Sequence, residues 1–313
     1  MPNRETVAAI DVGSNSIKLL VARAGVSPLK IETIFVETIE TRISAGISRE
    51  LPSLTDSSIK TGTQTIIELV RLARIYEPRE IQIVATSAVR DAMNGLDFIA
   101  AVNEATGLTI RVLSGTQEAT YIGKGLACDP AIKEVDRFIQ MDIGGGSLEL
   151  IRFNQGKIDQ ALSLQLGAVR LSERFIEDRD ACIGPDTEAT IREHVCKALD
   201  ESGFSFSPTN EPLIATGGAF SVTRAVLAAE AGTTIDHFRA QLNLEDIIGL
   251  KTKLMALPLH ERMSVPHLPA SRADIVPTAL ITIEQVLGSA ERDSLTHSLY
   301  NLRYGIIAEM LGL

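Results

Sequence analysis

Apolar residues follow two different spacings along this chain, and the changes between them mark out strands and helices. In the first part, short apolar runs predict strands at 7–12, 17–23, 30–40, 80–85 and 108–113. After them, the strand pattern restarts at 138–143, 148–154, 157–164 and 212–215. Helical spacing predicts helices at 56–76, 95–106, 117–125, 167–178 and 187–202, followed by a mainly helical tail. This alternation predicts an α/β protein with a mixed sheet in each of two lobes.

Two stretches of the chain share one order of apolar strand, aspartate, small-residue turn and apolar strand. Asp11 corresponds to Asp142 at an offset of 131 (142 minus 11). The same offset relates three further pairs: Gly13 and Gly144, Ser16 and Ser147, Leu19 and Leu150. A turn of Gly, Ser and Asn lets backbone N–H groups approach an oxyanion, because few side chains shield them. The repeat therefore predicts two lobes that face each other across a phosphate.

Length and composition narrow the choice of protein class. At 313 residues the chain exceeds the size at which one hydrophobic core stops growing, so we expect two domains, 1–128 and 129–313. A net charge of −10 disfavours nucleic-acid binding, which depends on an excess of Lys and Arg. No apolar run has the length of a membrane span, and the first residues do not resemble an export signal. We expect a cytoplasmic protein without a membrane partner.

Two carboxylates accompany the second turn. Glu149 lies in the strand that follows the turn, seven residues after Asp142. Mg²⁺ prefers one or two carboxylates together with substrate oxygens, so this pair suits a magnesium site beside a phosphate. The alternative is a solvent-facing Glu149 in an exposed strand.

A third glycine turn, Gly217-Gly218, follows another apolar strand. This turn either binds a phosphate at the start of a helix or only joins strand to helix.

Two further charged residues have open interpretations. Glu118 follows Ser114-Gly-Thr-Gln117, which fits a capping box. Glu118 is therefore either a first-turn acid favoured by the helix dipole or a general base that orients a water. Arg90 follows a buried strand at the sheet edge where α/β proteins bind ligands, but it is equally able to pair with Asp91 or Asp97.

The sequence lacks the residues that several other kinds of site require. Gly123-Lys124-Gly125 lacks the first glycine and the final Ser or Thr of a nucleotide-binding P-loop, and Gly144-Gly145-Gly146 does not continue as a dinucleotide fingerprint. The five histidines are scattered, and the three cysteines have no metal-binding spacing. Five basic residues are candidate phosphate partners, and the sequence alone does not rank them: Lys18, Arg170, Arg224, Arg272 and Arg303.

Seven segments together resemble the exopolyphosphatase/guanosine pentaphosphate phosphatase family of the actin-like ATPase superfamily. They occur in the family's order and begin at Asp11, Ala85, Ser114, Asp142, Leu166, Thr216 and Arg272. The resemblance implies two ribonuclease-H-like lobes with the site in the cleft between them, and a final helix near 301–313 that packs on the first lobe. The sequence departs from the family at Ala219 (usually Thr), Gln117 (often Glu) and Lys18 (often Arg). We expect no helical module like the one that follows the two lobes in the long members.

The resemblance also implies roles for individual residues. Glu118 is expected to be the water-activating base, and Asp142 with Glu149 the magnesium side of the site. The residues expected to bind phosphate are Asp11, Gly13, Ser14, Asn15, Ser16, Lys18, Arg90, Gly144, Gly145, Gly146, Ser147, Gly217, Gly218 and Arg272.

The expected activity is Mg²⁺-dependent hydrolysis of the terminal phosphate of linear polyphosphate. The close alternative is guanosine pentaphosphate as the substrate of the same site. An actin-like kinase and a non-catalytic polyphosphate binder are alternatives of other classes. A homodimer is a further expectation. Because the helical module helps the long members to bind long polyphosphate, its expected absence leaves processivity on long chains open.

Overall fold

The computed structural model describes residues 5–27, 29–44, 52–132, 135–206 and 211–313. Contacts group the chain into two compact units. The first unit comprises residues 1–136 with 300–313, and the second comprises residues 137–299. The domain boundary after residue 128 stays a prediction, since contact grouping does not show which parts fold alone.

Strands and helices alternate as the sequence predicts. The first half contains β1 (Thr6–Val12), β2 (Ser16–Ala24), β3 (Ile31–Glu40), α1 (Asp56–Arg74), β4 (Ile81–Ala85), α2 (Ser87–Arg90), α3 (Gly95–Thr106), β5 (Ile110–Val112) and α4 (Gly115–Leu126). The second half contains β6 (Arg137–Ile143), β7 (Leu148–Asn154), β8 (Lys157–Leu164), α5 (Ala168–Phe175), α6 (Pro185–Glu201), β9 (Leu213–Thr216), α7 (Gly218–Glu230), β10 (Gln241–Asn243), α8 (Leu244–Ala256), α9 (Leu259–Arg262), α10 (Val276–Ser289), β11 (Ser294–His297) and α11 (Leu302–Leu311).

Each unit is built on one mixed sheet. The first sheet has the order β3-β2-β1-β4-β5, with β1 antiparallel to β2 and parallel to β4. The second has the order β10-β11-β9-β6-β7-β8, with β6 antiparallel to β7 and parallel to β9. The α/β fold with a ribonuclease-H-like sheet in each unit is therefore confirmed.

The repeat found in the sequence is also a repeat of structure. Adding 131 to the bounds of β1, Thr6 and Val12, gives Arg137 and Ile143, the bounds of β6. Both strands are almost wholly buried, and each lies in the middle of its sheet, so their apolar runs form the centre of a core. The turn after each strand consequently starts from a rigid support.

The last part of the second unit differs from the prediction of a mainly helical tail. It contains two short strands, β10 and β11, which extend the sheet beyond β9. Strands of three and four residues are too short for a period of two to show in the sequence. Among the described residues, no helix combines the length and apolar character that a bilayer crossing requires.

The final helix, α11, belongs to the first unit and packs against α4 and β1. Two glycines permit the close contact of α11 with α4, since a Cβ on Gly305 would lie 1.7 Å from the carbonyl oxygen of Tyr121 and one on Gly125 would lie 2.3 Å from that of Asn301. Glu309 adds polar contacts by accepting hydrogen bonds from the Tyr121 hydroxyl at 2.5 Å and from Lys124 at 2.6 Å. The last residues of the chain thus hold the helix on which Glu118 lies.

Candidate active site

The turn between β1 and β2 is held by the segment that follows β3. Gly13 N–H donates to the Ser16 carbonyl at 3.1 Å and closes the turn. The Ser14 carbonyl accepts from the Ser44 hydroxyl at 3.0 Å and from the Ser44 N–H at 3.2 Å. The Asn15 carbonyl accepts from two further N–H groups of this segment, those of Thr41 and Arg42, each at 2.9 Å. Both carbonyls therefore point toward residues 41–44.

The turn between β6 and β7 has the same arrangement in the second unit. Gly144 N–H donates to the Ser147 carbonyl at 2.9 Å. The Gly145 carbonyl accepts from the first-turn N–H groups of α5 at Val169, 2.9 Å, and Arg170, 3.1 Å. The Gly146 carbonyl accepts from Arg170 Nε at 3.0 Å. Arg170, which the sequence left unranked, thus acts as a support of the turn.

The direction of the carbonyls sets the direction of the N–H groups. In a trans peptide the C=O of one residue and the N–H of the next point in opposite directions. The N–H groups of Asn15 and Ser16 therefore point away from residues 41–44, and those of Gly146 and Ser147 point away from α5. Successive N–H groups that point to one side form an anion-binding concavity. Each unit thus contains such a turn, at positions that the offset of 131 relates.

The side chains beside the two turns differ in charge. Asp11 lies opposite Lys18 in the β1–β2 ladder, and Asp142 lies opposite Glu149 in the β6–β7 ladder. Directly opposed residues project from the same face of a sheet with Cβ atoms about 5 Å apart. The first unit therefore presents a mixed pair of charges and the second a pair of carboxylates, at positions that correspond (18 plus 131 is 149).

A hydroxyl flanks each carboxylate of the second unit. Ser163, Glu149, Asp142 and Thr216 lie opposite one another in that order across β8, β7, β6 and β9, so they form one row on the sheet. Ser163 Oγ donates to Glu149 Oε1 at 2.9 Å, and Thr216 Oγ1 donates to Asp142 Oδ2 at 2.5 Å. Glu149 is only 3% exposed, which rules out a solvent-facing side chain on an exposed strand.

The row suits a hard divalent cation. Two adjacent carboxylates repel each other unless a positive charge lies near them, and carboxylate oxygens are the ligands that Mg²⁺ prefers. No three acidic, histidine or cysteine side chains cluster closely enough in the described part of the chain to hold a metal ion on their own. A pair of carboxylates such as Asp142 and Glu149 fits an ion that completes its coordination with water or substrate oxygens.

The turn between β9 and α7 brings backbone close to two charged side chains. Gly217 has a φ of +99°, and a Cβ there would lie 2.3 Å from Asp142 Oδ1. A Cβ on Gly218 would lie 2.0 Å from Nη1 of Arg272, which is 8% exposed. The turn does join strand to helix, and the positive φ of Gly217 requires glycine at that position, while the Asp142 carboxylate and the Arg272 guanidinium lie close to the backbone of the turn.

Glu118 forms an ion pair in the first unit. The capping box is confirmed, since Ser114 Oγ accepts from the Gln117 N–H at 3.2 Å and Gln117 Oε1 accepts from the Ser114 N–H at 3.0 Å. The next residue, Glu118, is buried and accepts a hydrogen bond at 3.0 Å from Nη1 of Arg90. Arg90 also donates to the Leu113 carbonyl at 3.1 Å, so this guanidinium is fixed in position. A helix-dipole role alone would not require burial of the carboxylate.

Asp11 is half-buried near a cation from the last helix. Burial raises the pKa of Asp11, and the charges of Lys18 and Arg303 oppose that rise. Arg303 lies on α11 and donates to the Leu19 carbonyl at 2.9 Å. Burial lowers the pKa of Arg303, while the charge of Asp11 opposes that change. The last helix therefore supplies a positive charge beside the first turn.

Comparison with models of protein families shows which family this chain belongs to. A model of the Ppx/GppA phosphatase family matches residues 20–313. The chain belongs to this family. The resemblance carried by the seven sequence segments is therefore confirmed, and members of the Ppx/GppA family are phosphatases.

Solved structures of Ppx/GppA proteins have the same fold as this chain. An exopolyphosphatase from Cytophaga hutchinsonii superposes with a TM-score of 0.87 at 24% identity, over 98% of this chain and 98% of that chain. The Ppx/GppA family member from Aquifex aeolicus superposes with a TM-score of 0.79 at 22% identity, over 98% of this chain and 97% of that chain. At these identities the similarity establishes that this chain has the fold of those Ppx/GppA structures.

In this Ppx/GppA chain, the contacts of Asn15 and Arg224 bear on the phosphate-binding roles that the sequence suggested for them. The Asn15 side-chain amide donates to Glu40 at 2.5 Å and accepts from Arg42 Nε at 3.2 Å, so the group of Asn15 that we expect to contact a phosphate is its backbone N–H. Arg224 donates to the carbonyls of Phe238 and Arg239, which assigns it to support of the loop before β10.

Four residues around the two turns were missed by the sequence argument. Thr216 and Ser163 bond the two carboxylates, but only strand register places them in the row with Asp142 and Glu149. Ser87, whose hydroxyl lies 3.2 Å from that of Ser14, follows a different strand. The fourth, Gln140, left a visible signal, because it is a polar residue inside an apolar strand.

Proposed function

We propose that the chain is an exopolyphosphatase, which hydrolyses the terminal phosphate of linear polyphosphate with Mg²⁺. The observation that carries this proposal is the pair of turns whose carbonyls are bound by protein and whose N–H groups point the other way. Such turns suit the oxygens of phosphate groups. Membership of the phosphatase family supports hydrolysis, and the solved relative described as an exopolyphosphatase supports this substrate.

In the proposed reaction, Glu118 accepts a proton from a water molecule. The water oxygen forms a bond to the terminal phosphorus while the bond from that phosphorus to the bridging oxygen breaks, and the electron pair leaves on the shortened chain. Arg90 fixes the Glu118 carboxylate at 3.0 Å so that its orientation is set before substrate binds. Asp142 and Glu149 would hold Mg²⁺, whose charge offsets that of the phosphate oxygens. Phosphoryl transfer depends mainly on such positioning and charge neutralisation.

One comparison of substrates tests the proposal. Phosphate release is measured side by side on long polyphosphate, tripolyphosphate, guanosine pentaphosphate and ATP. We expect release from polyphosphate, with ATP a poor substrate. Faster turnover of guanosine pentaphosphate at equal concentration would instead establish that nucleotide as the substrate. Transfer of phosphate from ATP to an added acceptor would identify a kinase, and binding of polyphosphate without any release would identify a binder.

The affinity for polyphosphate should fall as salt concentration rises. The proposed contacts are charged or dipolar, and the exposed part of such contacts is screened by ions. The measurement is the KM for polyphosphate between low and physiological ionic strength, with neutral sucrose at matched osmolality as the control. A KM that is independent of salt would contradict binding through the phosphates.

Loss of either carboxylate of the row should raise the Mg²⁺ concentration needed for half-maximal activity. We expect Asp142→Asn and Glu149→Gln each to raise it about 10-fold or more, since even loss of a hydrogen-bond partner of a metal ligand costs about 10–100-fold. Asp159→Asn is the matched control, because Asp159 is an exposed acid of the same sheet. Unchanged Mg²⁺ titrations in both site variants would refute the metal site.

A further inference from the structure

A chain of hydrogen bonds runs behind Asp142 inside the second unit. Gln140 Nε2 donates to Thr216 Oγ1 at 3.0 Å, and Thr216 Oγ1 lies 2.5 Å from Asp142 Oδ2. The side chains of Gln140 and Thr216 are fully buried. Gln140 and Asp142 are two residues apart on β6 and so share one face, and Thr216 lies opposite Asp142 on β9. The three side chains therefore form a continuous series within one sheet.

The direction of each hydrogen bond in this series is determined. A carboxylate only accepts, so the single hydroxyl proton of Thr216 is donated to Asp142 Oδ2. The Thr216 oxygen is then an acceptor for Gln140, which requires the amide nitrogen rather than the amide oxygen to face it. A reversed amide would place two acceptors against each other or withdraw the hydroxyl proton from Asp142.

This direction leaves an unfavourable group in the core. Within the described part of the chain, Gln140 Oε1 is buried and has no hydrogen-bond partner. A buried acceptor without a partner costs about 1–3 kcal/mol, whereas an apolar residue on this strand would cost nothing of the kind. The fold therefore retains a destabilising group, and among the described residues the polar partner of the Gln140 side chain is the hydroxyl that binds Asp142.

We propose that Gln140 and Thr216 are positioning residues, which hold the Asp142 carboxylate in one orientation for a divalent cation. The torsion that orients a carboxylate is broad, so a free Asp142 would sample many orientations. Thr216 fixes Oδ2, and Gly217 lies directly against Oδ1, which restrains the carboxylate on both sides. This inference rests on the proposed function, in which Asp142 is a magnesium ligand.

The test separates cation binding from stability. Binding of Mn²⁺ to the protein without substrate is measured from the loss of the free-ion electron paramagnetic resonance signal, and stability from thermal unfolding. Thr216→Val should weaken Mn²⁺ binding about 10-fold and lower the melting temperature, whereas Thr216→Ser should retain binding. Gln140→Leu should weaken binding by a smaller factor, about 3-fold, yet raise the melting temperature because it removes the buried acceptor.

The double variant Thr216→Val/Gln140→Leu sharpens the test. Its melting temperature should recover, because both partners are then apolar, while its Mn²⁺ affinity should equal that of Thr216→Val alone. Thr282→Val is the matched control, since Thr282 is a fully buried threonine on α10 that donates to the Thr278 carbonyl. It should change stability without changing Mn²⁺ affinity.

Three results would overturn the proposal: wild-type Mn²⁺ affinity in Thr216→Val, a loss of affinity in Thr282→Val that matches that of Thr216→Val, or no Mn²⁺ binding by the wild type. Failure of the proposed function is distinguishable from these. A wild type that releases no phosphate from any phosphate chain, with the expected Mn²⁺ series intact, would refute the activity and leave the positioning role in place.

Discussion

Replacement of Glu118 by Gln should lower turnover by about 10²–10⁴, the usual contribution of a positioned general base. Gln has nearly the same size and keeps a polar group near Arg90, but it does not take up a proton from water. Substrate affinity should change little, because the proposed phosphate contacts lie on other residues. The measurement is kcat and KM for phosphate release from polyphosphate at saturating Mg²⁺.

Asp97→Asn provides the matched control for this prediction. Asp97 is a first-turn acid of α3, as Glu118 is of α4, so both variants remove a favourable interaction with a helix dipole. If Glu118 acted only through the dipole, the two variants would behave alike, with small losses of stability and near-normal turnover. That outcome would remove Glu118 from the reaction.

The parts of the fold that were predictable depend on local pattern. The paired turns were recognisable because Asp11 and Asp142 lie near the ends of strands of the same apolar pattern, and small residues follow both strands. The capping box before Glu118 was recognisable for the same reason, since all its residues lie within one helical turn. Such features need no information about which strands become neighbours.

The remainder depends on strand register and burial. Thr216 is 74 residues from Asp142, and only the parallel pairing of β6 with β9 places its hydroxyl at 2.5 Å. The sequence predicts that Asn15 binds phosphate, but it does not show that the side-chain amide of Asn15 is bound by Glu40, at the end of β3, and by Arg42, which follows β3. A one-residue shift in pairing would turn these side chains to the other face, so sequence spacing alone does not place them.

His297 is a buried histidine that the proposed reaction does not use. It ends β11, is 3% exposed, and its Nε2 lies 3.2 Å from the hydroxyl of Ser221, which donates to the Gly217 carbonyl. Its Nδ1 has no hydrogen-bond partner among the described residues. Burial, assisted by the charge of Arg224, lowers the pKa of His297 from 6.5 to about 3. The folded protein therefore keeps this imidazole neutral in weakly acidic solution.

Acidification should consequently destabilise the protein through His297. The pKa is depressed in the folded state, so between pH 6.5 and about 3 the unfolded chain binds a proton that the folded chain does not, and stability falls as pH falls. From pH 7 to pH 5 this group should remove about 2 kcal/mol from the free energy of unfolding, at 1.36 kcal/mol per pH unit below 6.5.

His297→Gln should abolish that part of the pH dependence, as measured by urea denaturation at each pH. His260→Gln is the control for the replacement of a histidine as such, because the His260 side chain is 79% exposed. Equal pH dependence in wild type and His297→Gln would show that the imidazole is solvated in the folded protein.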